Sequence, residues 1–449
     1  MNTERNEMFE TSPIPKVFFF LTLPAVIGKL VMLFYNIADT WFIAATGNPD
    51  LVAGVSLVSP IFVLMIALGD IFGVGGSSVI ARLFGQRKNE TARRVSSFCF
   101  YGSFLCSALI AAIFYVFRFP ILQLLGADEH TLPYALEYYR WIIIGMPFIS
   151  TSIVPLNLLI TEGRSKASMA GNITGSLLNL ILDPFFIFFL DMGAAGAAIA
   201  TVLGNVGALT LYSFCYRKTT WLSITLKHCR VSLEEIKQVL VIGLPASLVN
   251  IMNSYSTALT NRFLLPFGND KIAAWGIASK IAMIANMILI GFAYAAQPLI
   301  GYNYGQKNYP RLKDILKFIY SFLLSLGLVL SLILGIWAPQ FFRFFMNDPA
   351  IVQTGTTILR FQLAGVVLTA FILVSTCTFQ ATGKAGSAFI LCLGRRGVIF
   401  TIVLLLLNAT LGYVGVIAVM PATDVIAIVL TVFLLKNSVL REIQKARQI

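Results

Sequence analysis

The stretch LVAGVSLVSPIFVLMIALGDIFGVGGSSVI, residues 51–80, is almost uninterrupted in its apolar side chains. A helix of this length crosses a hydrocarbon core of about 30 Å. A second stretch, KIAAWGIASKIAMIANMILIGFAYAAQPLIG at 271–301, has the same character. The residues that follow the two stretches match at a shift of 220, since Gly85-Gln86 falls on Gly305-Gln306. Both stretches are therefore predicted to be membrane helices at equivalent places in two halves of the chain.

The equivalence extends through the chain at a nearly constant shift. The tripeptide Leu23-Pro24-Ala25 falls on Leu244-Pro245-Ala246 at a shift of 221, and Gly163 falls on Gly383 at 220. Landmarks spread in this way indicate a duplicated unit. Together with 51–80 and 271–301, the other long apolar runs bring the predicted spans to twelve: 16–44, 95–118, 133–161, 169–190, 194–216, 237–265, 314–338, 352–381, 387–411 and 413–435.

Composition agrees with a membrane protein, because 57% of the residues are hydrophobic and only 12% are charged. Runs this long exclude a β-barrel, whose strands alternate over about ten residues. We predict an all-α integral membrane protein with twelve transmembrane helices in two six-helix lobes, an N-lobe at 1–216 and a C-lobe at 237–449, joined by a linker at 217–236. An even number of spans in each half makes the repeats parallel.

The net charge of +13 comes from basic residues in alternate loops, which argues against a nucleic-acid partner. By the positive-inside rule, these loops and both termini are predicted to be cytoplasmic. The basic clusters include Arg82, Arg87, Lys88, Arg93 and Arg94 after the second span, Arg217, Lys227, Arg230 and Lys237 between the halves, Lys307, Arg311, Lys313 and Lys317 after the eighth, and Lys436 and Arg441 at the end.

Carboxylates inside the spans are costly and therefore informative. Asp183 shares one face of the fifth helix with Asn172, Ser176 and Asn179, at spacings of 4, 3 and 4. Neighbouring spans offer polar side chains that we expect to complete an oxygen-rich pocket: Tyr35, Asn36, Asp39 and Thr40 in the first, Ser150, Asn157 and Thr161 in the fourth, and Thr201 and Asn205 in the sixth.

Such a pocket can exchange a proton, because a low-dielectric environment disfavours ionisation of a carboxylic acid. The same oxygens can instead hold Na⁺. In the alternative interpretation, Asp183 ties a helix kinked at Pro184 to Thr201.

Other charged residues in the spans have weaker contexts. Asp70 opens a glycine-rich stretch, and Asp424 lies near Pro421, so both could be structural. The partners of Lys29, Arg262, Lys280 and Asp424 cannot be assigned from the sequence.

The seventh helix has a neutral polar face, formed by Asn250, Ser254, Thr257 and Asn261. A neutral face with nearby aromatic residues suits amphipathic or cationic molecules. We predict a substrate cavity lined by Tyr35, Asn36, Asn157, Asn250, Tyr255 and Gln297. Pro24 and Pro245 are predicted hinges, because proline removes a helical hydrogen bond and bends the helix.

No nucleotide-binding loop is present in the sequence, so an ion gradient is the expected energy source. No cofactor is expected beyond the coupling ion, H⁺ or Na⁺, and H⁺ is preferred because a single carboxyl group can carry it. The expected partners are small organic substrates and the lipid bilayer, and the protein is expected to be a monomer.

The chain resembles the multidrug and toxic compound extrusion (MATE) family over nearly its whole length. The resemblance is carried by NIADTWFI (36–43), LFGQRKNETARR (83–94), NLILDPFFIF (179–188), GAAGAAIATVLGN (193–205) and GFAYAAQPLIGYNYGQKN (291–308). It implies two six-helix lobes arranged as a V, and efflux of organic compounds in exchange for H⁺ or Na⁺ across a bacterial plasma membrane.

The resemblance also implies an N-lobe cation site at Asp39, Asn179, Asp183 and Thr201, with Asn157 nearby and Pro24 as a bending proline. Other members place an acid in the seventh helix, whereas NSYSTALTNRF (253–263) contains none. The implied branch is therefore the bacterial multidrug one that relies on its N-lobe.

Two alternatives remain open from the sequence. A lipid-linked oligosaccharide flippase would favour a basic cavity, and the central stretches are mostly neutral. A membrane-embedded enzyme is disfavoured because both histidines, His130 and His228, fall in loops.

Overall fold

A computed structural model describes residues 7–217, 221–345 and 349–445, so that part of the predicted linker, 218–220, lies outside the described residues. Within these ranges the regular secondary structure is entirely helical, and twelve helices are long and apolar enough to cross a membrane. The prediction of an all-α protein with twelve spans is confirmed. The spans are α1 Ile14–Ala44, α2 Pro49–Gly85, α3 Asn89–Val116, α4 Leu132–Thr161, α5 Ser165–Phe189, α6 Gly193–Tyr216, α7 Leu233–Phe267, α8 Asp270–Gly305, α9 Tyr309–Ile336, α10 Ile351–Ala381, α11 Ala385–Leu411 and α12 Tyr413–Gln444.

The fifth helix of each half departs from regular α-helical geometry in the same way. In α5 the α-helix ends at Pro184 and continues as a π-helical turn, Phe185–Phe189. In α11 the α-helix ends at Leu393 and a π-helical turn follows at Gly394–Val398. Turns of this kind often lie at functional sites, because the wider turn redirects nearby side chains.

The backbone contacts divide the chain into two compact units. The first unit contains Leu23–Ser247, and the second contains the described residues up to Thr22 together with those from Leu248 onward. The divisions fall inside α1 and α7, close to Pro24 and Pro245. Each unit thus follows one half of the duplicated sequence, except that the beginnings of α1 and α7 belong to the unit of the other half. The lobes predicted from the sequence repeat place the beginning of α1 in the N-lobe and most of α7 in the C-lobe. Their boundaries therefore differ from those of the two units at the beginnings of these helices.

Close backbone packing explains why the beginning of α7 belongs to the first unit. A Cβ atom on Gly243 of α7 would lie 2.0 Å from the carbonyl oxygen of Ile71, and one on Gly75 of α2 would lie 2.4 Å from that of Val239. Small residues that let two backbones approach are a common basis of helix association in lipid. The core of the first unit lies between α2, α4 and α6, where Met65, Met146 and Ala197 are completely buried.

Aromatic packing explains why the beginning of α1 belongs to the second unit. Phe18 is completely buried there, and its ring centroid lies 5.8 Å from Phe292 of α8, 5.3 Å from Phe318 of α9 and 5.2 Å from Phe322 of α9. Edge-to-face and offset ring pairs at such distances add about 0.5–1.5 kcal/mol each beyond the area that they bury. The first turns of α1 are therefore held to the second unit by ring contacts.

Candidate functional site

The polar stripe that the sequence predicts on α5 is buried in the first unit. Asp183 is completely buried, Asn179 is 3% exposed and Ser176 is 6% exposed, whereas Asn172 at the other end is partly exposed. Spacings of three and four place these side chains on one side of the helix. The stripe therefore becomes more enclosed toward Asp183.

Two glycines bring α6 against this stripe. A Cβ atom on Gly204 would lie 2.7 Å from the carbonyl oxygen of Gly175, and 3.1 Å from the Cβ of Asn179. Only glycine allows two backbones to approach this closely. The contact holds Thr201, one turn earlier on α6, within hydrogen-bonding distance of Asn179.

The centre of the site is a pair of carboxyl groups. The side chains of Asp39 on α1 and Asp183 on α5 lie within hydrogen-bonding distance of each other. Asn179 Nδ2 donates to Asp183 Oδ1 at 3.3 Å and to Thr201 Oγ1 at 3.3 Å. The structure thus brings together all four of the predicted cation ligands.

Three oxygens of this cluster are enclosed and receive no hydrogen bond from the described residues: Asp39 Oδ1, Asn179 Oδ1 and Asp183 Oδ2. Two ionised carboxylates at this distance repel each other, and enclosed acceptors without donors cost free energy. A proton shared by the pair, or a cation bound by its oxygens, relieves the repulsion and gives at least one of these oxygens a partner. The arrangement is suited to taking up one positive charge.

Two tyrosines border the carboxyl pair. The phenol groups of Tyr35 on α1 and Tyr138 on α4 both interact electrostatically with Asp39 and Asp183. The sequence analysis included Tyr35 but missed Tyr138. Tyr138 is 9% exposed and lies in an apolar helix with many aromatic neighbours, so nothing in its sequence context distinguishes it from a core residue.

The amide groups of the other two predicted residues in this unit bind their own helices. Asn36 Nδ2 donates to the carbonyl oxygen of Met32 at 2.8 Å, and Asn157 Nδ2 donates to that of Ile153 at 2.9 Å. Both side chains remain partly exposed. Their assignment to a substrate cavity stays a prediction.

The predicted substrate residues of the second unit lie in different environments. Tyr255 is 41% exposed, and its hydroxyl lies 3.0 Å from Thr401 Oγ1 of α11. It lines a cleft of about 420 Å³ that also includes Met252 and Gly397. Gln297 is buried and Asn250 is partly exposed.

The structure supplies partners that the sequence could not assign. Lys29 interacts electrostatically with Asp70 in the first unit. In the second unit, Asp424 of α12 pairs with Arg395, which lies in the π-helical turn of α11. The side chains of Arg262 and Lys280 are exposed.

Arg395 and the adjacent Arg396 are functional candidates that the sequence analysis missed. The available signal was two consecutive arginines inside the apolar run 387–411, where each cation is costly. They were overlooked because the run as a whole is strongly hydrophobic.

Comparison with known proteins agrees with this architecture. The MatE family model matches residues 24–185 and 245–414. The multidrug export protein MepA of Staphylococcus aureus (strain NCTC 8325 / PS 47) is 30% identical over 445 residues, which cover 97% of each chain. MepA of Staphylococcus haemolyticus (strain JCSC1435) is 30% identical over 435 residues, 97% of this chain and 96% of that protein.

Among solved structures, one described as a MATE in the bent conformation superposes with a TM-score of 0.91, at 27% sequence identity and 99% coverage of both chains. The match extends through both halves of the duplicated sequence and confirms the resemblance drawn from the motifs. With the family match, the twelve spans and the duplicated halves, the chain belongs to the MATE family of membrane transporters.

Proposed function

We propose that this protein is a cation-coupled antiporter that exports amphipathic, often cationic, organic compounds in exchange for H⁺, with Na⁺ as the alternative coupling ion. The observation that carries the proposal is the pair Asp39 and Asp183, at hydrogen-bonding distance and with enclosed oxygens that receive no donor from the described residues. A site that binds one cation reversibly couples an ion gradient to a conformational change, because the cation stabilises one state more than the other.

The energy available from one coupling ion is sufficient for efflux. When the exported compound carries no net charge, one proton that moves inward through 100 mV supplies about 2.3 kcal/mol. At about 1.4 kcal/mol per decade, this corresponds to an accumulation ratio of roughly 50. One proton for each exported molecule can therefore drive useful export of such a compound.

The hydrogen bonds of Asn179 favour H⁺ over Na⁺. Its Nδ2 atom donates to Asp183 Oδ1 and Thr201 Oγ1, so each of these two oxygens has one lone pair fewer to offer a Na⁺ ion. A proton shared between Asp39 and Asp183 needs neither of them. We therefore assign the coupling to protons.

The multidrug activity of the relatives and the polar face of α7 support the substrate class. Both relatives described above are named multidrug export proteins. On α7, Tyr255 presents an exposed aromatic ring beside the apolar cleft. We further propose a monomer in the bacterial cytoplasmic membrane with both termini in the cytoplasm, as the basic loops indicate.

The test is efflux of ethidium from proteoliposomes in which a pH gradient and a Na⁺ gradient are imposed separately. Asp39→Asn and Asp183→Asn are expected to fold and to lose gradient-driven efflux, because each removes one of the two like charges whose repulsion makes the uptake of a proton favourable. Asp50→Asn, the same chemical change at an exposed position of the same unit, is the matched control. Full efflux by both site variants would refute the carboxyl pair as the coupling site. Wild-type efflux that stops only when the Na⁺ gradient is removed would identify Na⁺, and not H⁺, as the coupling ion.

A further inference from the structure

The second unit contains a pair of arginines at membrane depth. Arg396 follows the first residue of α11, Ala385, by 11 positions, which corresponds to about 16 Å along a helix. That places it near the middle of a hydrocarbon core of about 30 Å. A phospholipid headgroup cannot reach this depth without deforming the bilayer.

The one acid of this cluster is already fully engaged. Asp424 is 1% exposed, and its Oδ1 accepts from Arg395 Nε at 2.7 Å. Its Oδ2 accepts from Arg395 Nη2 at 2.9 Å and from Thr369 Oγ1 at 2.8 Å. The two parallel bonds form the bidentate geometry that makes arginine–carboxylate pairs strong.

Arg396 lacks such a partner. Among the described residues, the charges that act on it are Arg395 and Asp424, and Asp424 is the only acid of the two. Its Nη1 atom is enclosed and donates no hydrogen bond to the described part of the chain. The Arg396 side chain as a whole is partly exposed. Two guanidinium groups and one carboxylate leave the cluster with an excess positive charge.

An enclosed cation at this depth is expensive unless an anion compensates it. The planar guanidinium group matches an oxyanion in shape and in its donor positions. We propose that Arg396 anchors an anion-binding site in the second unit, and that its ligand is the carboxylate group of an amphipathic compound. The same chemistry would accept a small inorganic anion, which the experiment must distinguish.

The inference rests on the proposed function, since it adds compounds with a negatively charged group to the exported class. Binding is therefore measured without any gradient, so that failure of ion coupling and failure of this site give different results. The probes are 1-pyrenebutyrate and its neutral analogue 1-pyrenebutanol, titrated by fluorescence into the purified full-length protein in detergent.

The wild type is expected to bind the carboxylate probe at least about tenfold more tightly than the alcohol, the factor that about 1.4 kcal/mol gives. Arg396→Gln is expected to abolish this preference, whereas Arg396→Lys retains part of it. Arg360→Gln, which removes an exposed arginine from another helix of the same unit, is expected to keep the preference.

Equal binding of the two probes by the wild type overturns the proposal, and this result does not depend on whether any variant folds. A preference that survives in Arg396→Gln overturns it as well. Chloride is titrated at constant ionic strength as a competitor. If chloride displaces the probe at an equal concentration, the carboxylate assignment is overturned and the site binds a small inorganic anion. If the probe stays bound, the result supports an organic carboxylate as the ligand.

Discussion

The fifth helices of the two halves, α5 and α11, each contain a π-helical turn, but the charges beside the two turns are opposite. In the first unit, Asp183 directly precedes Pro184 and the turn, and its neighbour is another acid, Asp39. In the second unit, Arg395 lies inside the turn and its guanidinium group is bonded to Asp424. One half thus joins acid to acid, whereas the other joins acid to base.

A duplicated scaffold can thus assign separate roles to its two halves. The counter-charge of Asp424 is Arg395, which is part of the chain. Asp424 therefore stays neutralised in every state in which the pair persists. A carboxyl pair without a cation of its own must obtain one from outside, and it can release it again. On the proposed function, exchange belongs to the first unit and the salt bridge of the second unit is structural.

A basic side chain placed beside Asp183 should have the largest effect on transport. Asp39→Lys places an ammonium group beside Asp183 and reproduces the arrangement of the second unit. The accumulation ratio is expected to fall from the wild-type value to about one, since no proton can then be exchanged. Dye accumulation in proteoliposomes measures it, with size-exclusion chromatography to confirm folding.

Asp50→Lys introduces the same charge change at an exposed position of the first unit and serves as the control. It is expected to retain gradient-driven accumulation. Gradient-driven accumulation by the Asp39→Lys variant would show that the carboxyl pair is not where the ion is exchanged.

Removing Asp424 from the salt bridge of the second unit should lower the stability of the protein rather than its coupling of efflux to the gradient. Asp424→Asn leaves the partly buried Arg395 without its counter-charge, and the corresponding loss in fully buried pairs is about 3–5 kcal/mol. Replacing both partners, as in Arg395→Met with Asp424→Leu, is expected to restore most of the loss, because apolar side chains need no partner in this environment. Thermal unfolding in detergent measures stability, and dye accumulation measures coupling.

The double variant is the decisive sample for this comparison. If it is as stable as the wild type but no longer couples efflux to the gradient, the salt bridge takes part in transport and the division of roles is wrong.

The helices and the stripe on α5 could be predicted from the sequence, because both depend on local patterns. Long apolar runs define spans, and the spacings from Asn172 to Asp183 place four polar side chains on one face of a helix whatever surrounds it. The polar residues of the first span, Asp39 among them, were predicted to complete this pocket, and the structure brings Asp39 to Asp183.

Partners on other helices could not be predicted, since no spacing along the chain encodes them. Asp424 and Arg395 lie 29 positions apart and meet only because α11 and α12 pack together. The same holds for the division of α1 and α7 between the two units, which depends on ring contacts of Phe18 and on the backbone contact at Gly243. Both are properties of tertiary packing.

A smaller effect should separate the two possible coupling ions. Thr201→Val removes an acceptor of Asn179 Nδ2, and a neutral hydrogen bond of this kind contributes about 0.5–1.5 kcal/mol. With proton coupling the accumulation ratio should stay close to that of the wild type. A loss of about tenfold in apparent affinity for Na⁺, equivalent to about 1.4 kcal/mol, would instead identify Thr201 as an ion ligand.

Thr210→Val removes a hydroxyl from an exposed position of the same helix, where it donates to the backbone carbonyl of Val206. Any change that both threonine variants share reflects the helix rather than the site.

The smallest effect is expected in the turn before α4, outside the spans. Asp128 accepts hydrogen bonds from the Thr131 hydroxyl at 2.7 Å and from the Thr131 and His130 backbone amides at 2.8 and 3.1 Å. These bonds, with that of the Thr131 hydroxyl the largest influence, hold the pKa of Asp128 below its ordinary value. The stabilisation is therefore complete above the unfolded pKa of about 3.9 and disappears as the pH falls through the lower folded value.

Asp128→Ala should accordingly lower the unfolding temperature slightly at pH 7 and leave it unchanged at a pH below both values, where the wild-type carboxyl is protonated as well. Thermal unfolding at the two pH values measures the difference. Because the turn contributes nothing to either charged cluster, coupled efflux at pH 7 should match that of the wild type. A variant that loses coupling here would mean that the ends of the helices, and not only the carboxyl pair, control ion exchange in the first unit.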